Sequence, residues 1–123
     1  MAKKSPPSPP EDTRLLRSRA EIEEKLDLRI KEGEALEAEQ INSDDGLKAA
    51  RERYYAWSSY NSTLLKKLFS GEEVLSEYSG PGFAFGVFGG NVVLSEEIQK
   101  HFRDVHRKVA SLRIIKSKVE LYE

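Results

Sequence analysis

Read from Leu47, the residues Ala50, Tyr54, Trp57, Asn61, Leu64 and Leu68 recur at alternating steps of three and four, the spacing that brings side chains onto one face of an α-helix. The stripe holds the only tryptophan and one amide, and it reads as the seam of a helical bundle rather than as a catalytic cleft. Ile41-Asn42-Ser43-Asp44-Asp45 has the chemistry of a helix start, because short polar side chains accept orphan amide bonds and carboxylates favour the positive end of the helix dipole. The spacing predicts a helix from there to about Phe69, closed by Ser70-Gly71 with the glycine in a left-handed cap.

Upstream, Leu15, Ile22, Leu26 and Ile30 recur at helical spacing among dense glutamate, lysine and arginine, which predicts a first helix from Asp12 or Thr13 to about Ala38 with a thin apolar stripe. Gly33 weakens that helix by up to ~1 kcal/mol relative to alanine, so its presence implies a kink or the close approach of another helix. Downstream, residues 72–78 fit a short helix carrying Val74, Leu75 and Tyr78, and Gly80-Pro81-Gly82 ends it. Between 83 and 94 the period changes to two: Phe83, Phe85, Val87 and Phe88 sit among glycines, as in a small β-like aromatic loop. Ser95-Glu96-Glu97, with Leu94 as a staple, then opens a last helix in which Ile98, Phe102, Val105, Val109, Leu112, Ile115 and Val119 supply the apolar face.

The fold class this predicts is all-α: an elongated antiparallel bundle of three long helices, each about 38 Å at 1.5 Å per residue, with one short helix and the aromatic-glycine loop. Residues 1–11, rich in lysine, serine and proline, read as a disordered or polyproline-like tail, and residues 12–123 as the single helical domain.

Composition narrows the function. Lysine and arginine total 20 against 21 aspartates and glutamates, a net charge of −1, so there is no basic field for nucleic-acid phosphates. With no cysteine, disulfides, thiolate metal sites and thiol catalysis are excluded and the cytoplasm is the expected compartment. No stretch of ~18 apolar residues would span a membrane.

Candidate chemistry is sparse, and neither a cofactor nor a catalytic residue is expected. The glycine-rich stretch lacks the Gly-Lys-Ser/Thr of a phosphate loop and leads into Glu96 and Glu97, which would repel an anion. His101 and His106, five residues apart, lie about 140° from each other on a helix, so they read as surface residues and not as a metal pair. Glu21, Glu23, Glu24, Glu32, Glu34 and Glu37 alternate with basic residues as on a solvated face. Ser58, Ser59, Ser62 and Thr63 have no neighbouring histidine to activate them. Asn61 stands out, since an amide in an apolar seam needs a partner and can fix helix register, or bond a bound peptide or small molecule. Tyr54 and Trp57 read as core anchors, while Arg53, Tyr55 and Tyr60 could extend an aromatic surface suited to contact.

Ile41-Asn42-Ser43 opening a helix, Tyr54-Tyr55 with Trp57, Tyr60-Asn61, Leu64-Leu65, Leu68-Phe69, Glu77-Tyr78 and the Phe85 to Gly90 piece together resemble a helical module of bacterial proteins. In those proteins the module lies N-terminal to a TIR-like predicted nucleotide-binding domain linked to antiphage defence. The resemblance runs from about Leu26 to Glu123 and implies an accessory role, with Glu123 falling about where the effector domain would begin. It brings no catalytic residue to any position here. The expected function is therefore a non-enzymatic interaction or oligomerisation module, a homo-oligomer or a partner of a TIR-like effector, with Leu26, Ile30, Phe83, Phe85 and Phe88 as contact residues. The second expectation is a sensor of a small ligand such as a nucleotide signal, gating a partner enzyme through Arg53, Tyr55, Tyr60 and Asn61.

Overall fold

The computed structural model describes residues 12–80 and 93–123, and every regular element among them is helical. The aromatic-glycine loop with Phe83, Phe85 and Phe88, and the tail at 1–11, lie outside the described residues. Helix α1 spans Arg19–Glu37, α2 Asp44–Leu68, α3 Glu73–Ser79 and α4 Leu94–Ser117, followed by a 3-10 turn at Val119–Tyr122.

Helix α1 is capped five or six residues later than the expected Thr13 or Asp12. The cap is Ser18, whose Oγ accepts from the Glu21 N–H at 3.2 Å. Residues 14–16 are not helical because their backbone is bonded elsewhere. Leu16 N–H donates to the Leu68 carbonyl at 2.8 Å, Ser70 N–H to the Arg14 carbonyl at 2.8 Å and Leu15 N–H to the Tyr122 carbonyl at 3.3 Å. The segment is an extended strap with an isolated bridge between Leu15 and Phe69, and Thr13 Oγ1 ties it to Glu73 at 2.9 Å.

Helix α2 starts where its sequence chemistry predicts, with Ser43 Oγ accepting from Gly46 N–H and Asp44 and Asp45 in the first turn. Its buried face takes Leu65 rather than Leu64. The left-handed glycine is present at Gly71 (φ 72°), but the helix has already ended at an extended Phe69. In α4 the cap is Val93, not Ser95: the Val93 carbonyl accepts from Glu96 and Glu97 N–H, and no side chain caps the helix.

Ion pairs and hydrogen bonds fix the directions. Arg19 meets Glu120 and Glu123, Asp27 meets Lys116 and Glu34 meets Arg113, so α1 and α4 run antiparallel. Arg29 meets Trp57 and Asn61 while Glu39 meets Arg53, so α1 and α2 do too. Arg51 beside His101 and Phe69 against Tyr122 show that α2 and α4 run the same way. The core between them is built from Ile22, Leu26, Trp57, Leu65, Val105, Val109, Leu112 and Ile115, with Phe69, Val74 and Tyr78 closing the side that α3 covers. Gly33 answers the question its helix poses. A Cβ there would lie 2.5 Å from Trp57 Cζ2 and 2.5 Å from Val109 Cγ2, so the glycine lets three helices meet.

Candidate functional site

Two polar clusters sit on this scaffold, and they are built differently. The first crosses all four helices. Asn61, fully buried, accepts from Arg29 Nε at 2.7 Å through Oδ1 and donates to the Tyr78 hydroxyl at 3.0 Å through Nδ2. Ser58 shares the same hydroxyl at 3.0 Å. Arg29 and Trp57 also exchange bonds, the indole donating to the Arg29 carbonyl at 3.0 Å and the guanidinium to the Trp57 carbonyl at 3.4 Å. Lys108 of α4 completes the set, donating to the Tyr78 carbonyl at 2.7 Å with its ammonium 4.5 Å from the ring centroid. Desolvation pushes the Lys108 ammonium down, with Arg107 adding to the effect and Asp104 opposing it, and pushes the Tyr78 phenol up, which keeps the hydroxyl neutral as its bonds to Ser58 and Asn61 require. Every polar atom of the Asn61 amide that points at another helix is engaged, which is the arrangement that sets register rather than binds a guest.

The second cluster lies toward the end where α1 stops and α4 is in its second turn. Arg51 of α2 donates from Nη1 to Asp104 at 3.0 Å and from Nη2 to the Tyr55 hydroxyl at 2.7 Å, and the same Nη1 stands 3.3 Å from His101 Nδ1. Its guanidinium carbon lies 5.0 Å and 4.8 Å from the Tyr54 and Tyr55 rings. His101 packs edge-on against Tyr54, and burial with Asp104 nearby pushes the Tyr54 phenol up to about 12. His101 is 0% exposed, and its Nε2 has no hydrogen-bond partner. At the same end Glu37 Oε1 and Glu39 Oε1 are buried without a hydrogen-bond partner, although Glu37 Oε1 lies 3.6 Å from His106 Nδ1 and Glu39 Oε2 accepts from Arg53.

The structure corrects several sequence expectations. His101 is a core residue, not a surface one: it lies four residues before Val105 and eight before Val109, in phase with them, and Ile98 and Phe102 are only half-buried. His106 is exposed, 3.6 Å from Glu37. Leu26 and Ile30 are spent inside one chain, at 0% and 8% exposure, so contact through them would require opening the core. Arg53, Tyr55, Tyr60 and Asn61 do not converge on one site. Arg53 pairs with Glu39, Tyr55 with Arg51, Asn61 is internal, and Tyr60 lies on the opposite flank of α2 with Arg29 stacked 4.2 Å from its centroid.

Arg29, Arg51 and Lys108 hold the polar clusters together and sequence reasoning passes over all three, while it places Tyr78 on the short helix without assigning its hydroxyl a partner. The phase of Val105 and Val109 was the available signal for His101; nothing local distinguishes Arg29 from its charged neighbours.

On the α1–α2 surface, Leu28 and Tyr60 are 59% and 57% exposed and frame a shallow cleft of about 130 Å³ with Lys25, Arg29 and Leu64. A wider cleft of about 610 Å³ lies between the strap and the last turn, lined by Asp12, Arg14, Glu73, Tyr122 and Glu123 among others. Among the described residues no cluster of three or more histidines and carboxylates is placed to hold a metal ion, and no helix is long and apolar enough to cross a membrane. The chain matches no family model, no curated protein and no solved structure.

Proposed function

We propose that this chain is a non-enzymatic protein-interaction and oligomerisation module, and that it associates with a second copy of itself through the α1–α2 surface. The observation that carries the reading is the exposed pair Leu28 and Tyr60, side by side over a shallow cleft, with Tyr60 held in place by the stacked Arg29 guanidinium. Tyrosine and arginine are the residue types that dominate contact energetics, and a tyrosine immobilised before contact loses little further entropy on binding. Arg29 is itself locked to Asn61, so the internal network and the surface patch are one construction. Opposite charges flank Leu28 on the exposed face, Glu24 and Lys25 before it and Lys31 and Glu32 after it, and the net charge of −1 opposes no approach of a second copy.

The resemblance to the bacterial helical module supports placing the module beside a TIR-like antiphage effector, and a cytoplasmic location goes with that role. The ligand-sensor alternative has less support. The cleft beside Tyr60 is smaller than the ~300 Å³ typical of small-molecule sites, and the larger one presents three carboxylates to any nucleotide phosphate.

Sedimentation over a range of concentrations tests the proposal with two variants. Leu28→Asp leaves the core untouched and is expected to give a folded monomer where the wild-type chain associates; Leu26→Asp is unsuitable because it unfolds the bundle. A wild-type chain that stays monomeric, or a Leu28→Asp variant that associates as before, would overturn self-association through this face.

A further inference from the structure

His101 poses a problem that the interaction reading does not absorb. It is a titratable ring sealed inside the bundle, in contact with a permanent cation, and one of its two nitrogens has no partner. The contact determines the chemistry of the ring. A guanidinium has donors and no acceptor, so at 3.3 Å Arg51 Nη1 can only donate, and His101 Nδ1 must be the bare, accepting nitrogen. The proton of the neutral ring is then on Nε2, the atom left without an acceptor.

The groups facing the ring come from three segments. From α2, Arg51 and Arg53 oppose a positive imidazole and Tyr54 packs edge-on against it. From α4 itself, Asp104 lies one turn on. From the segment after α1, Glu39 contributes a second carboxylate. Burial and the Arg51 charge lower the ring's proton affinity below the ordinary 6.5, while Glu39 and Asp104 act in the opposite sense.

We propose that His101 is an acid-sensitive latch that exchanges partners with Arg51. A proton arriving from solvent at Nδ1 removes the lone pair that accepts from Arg51 and places two cations in contact. Asp104 is the carboxylate both can reach, three residues from His101 on the same helix and now bonded to Arg51. Protonation transfers Asp104 to the imidazolium, with the unpaired Glu39 oxygen as the second acceptor available on that side. Arg51, half-buried and close to the surface, swings out and takes with it the bond to Tyr55. The α2–α4 seam is thereby loosened at one end only. The Asn61 network, which contains no histidine, keeps the remainder closed.

Nitrogen-15 NMR of the wild-type chain, titrated from pH 8 to 4.5, reads each part of this. At pH 8 the His101 ring is expected to show the Nε2–H tautomer. On acidification it should protonate with a midpoint below 6.5, and the Arg51 Nε and Tyr55 signals should move with the same midpoint while the Trp57 indole N–H stays in place. An Nδ1–H tautomer, a midpoint at or above 6.5, or Arg51 and Tyr55 signals that ignore the His101 titration would each overturn the proposal. An Arg51→Gln variant should raise the His101 midpoint, and an unchanged midpoint in that folded variant would also contradict it. The outcome is independent of self-association, because the titration is read on dilute monomer.

Discussion

The Asn61 network and the His101 cluster are made of the same materials, an arginine, a tyrosine hydroxyl and a buried polar side chain, yet they are satisfied to different degrees. Around Asn61 each inward-facing donor meets an acceptor, and the bonds tie α1, α2, α3 and α4 into one register. Around His101 one ring nitrogen and one Glu39 carboxylate oxygen are buried without hydrogen-bond partners. A closed network has one favourable arrangement, whereas an incomplete one leaves the chain a second way to distribute the same charges. The first fits a residue that holds the scaffold, the second a residue that responds to conditions.

Breaking the closed network should have the largest effect. Asn61→Leu leaves the Arg29 Nε and the Tyr78 hydroxyl without their shared partner in a buried setting. The expected loss is about 3 kcal/mol, read as a lower urea midpoint. A loss under 0.5 kcal/mol would mean that water or a neighbour replaces the amide.

Filling the space beside the network comes next. Gly33→Ala forces a methyl to within 2.5 Å of both the Trp57 ring and Val109, and overpacking of this kind costs about 2 kcal/mol. Neutral or raised stability in that variant would show that the three helices can separate at little cost.

The incomplete cluster should show itself in the pH dependence of stability instead. The folded-state pKa of His101 lies below its unfolded value, so folding favours the neutral ring. That contribution is complete above the unfolded value near 6.5 and is lost progressively as the pH falls from there towards the folded value. His101→Asn, which keeps an acceptor near the Nδ1 position, should flatten the part of the urea midpoint profile between pH 7 and 5. An unaltered profile would assign the acid sensitivity to other groups.

The smallest effect is expected from the exposed pairs along α1 and α4. Arg113→Ala removes a half-exposed bond to Glu34 and should change stability by less than ~0.5 kcal/mol at moderate salt. A larger loss would show that surface pairs contribute to the register as Asn61 does.

The same contrast explains how much could be read from the chain itself. Asn61 was legible because an amide interrupts an apolar stripe, and the start of α2 because serine and two aspartates have one obvious use there. Arg29, its main partner, was not legible: it sits among ten other charged residues of α1, and only the fold reveals that its guanidinium turns inward. His101 was misread because Ile98 and Phe102 looked like the start of the apolar face, although the phase of Val105 and Val109 points to position 101. The late start of α1 has a tertiary cause, since the backbone of 14–16 is recruited by Leu68, Ser70 and Tyr122, and no local propensity encodes those bonds. The exposed Leu28 and Tyr60 are neighbours because α1 and α2 are antiparallel, as the sequence predicts, and because of a register between them that spacing along one helix does not encode.

Amide hydrogen exchange compared between dilute and concentrated solutions of the intact chain tests the proposed contact face most directly. The account predicts that concentration slows exchange in residues 24–32 and 56–67, around Leu28 and Tyr60, and leaves the Arg51–His101 end unchanged. Exchange that is indifferent to concentration, or slowing confined to the surface around Tyr55, would contradict it.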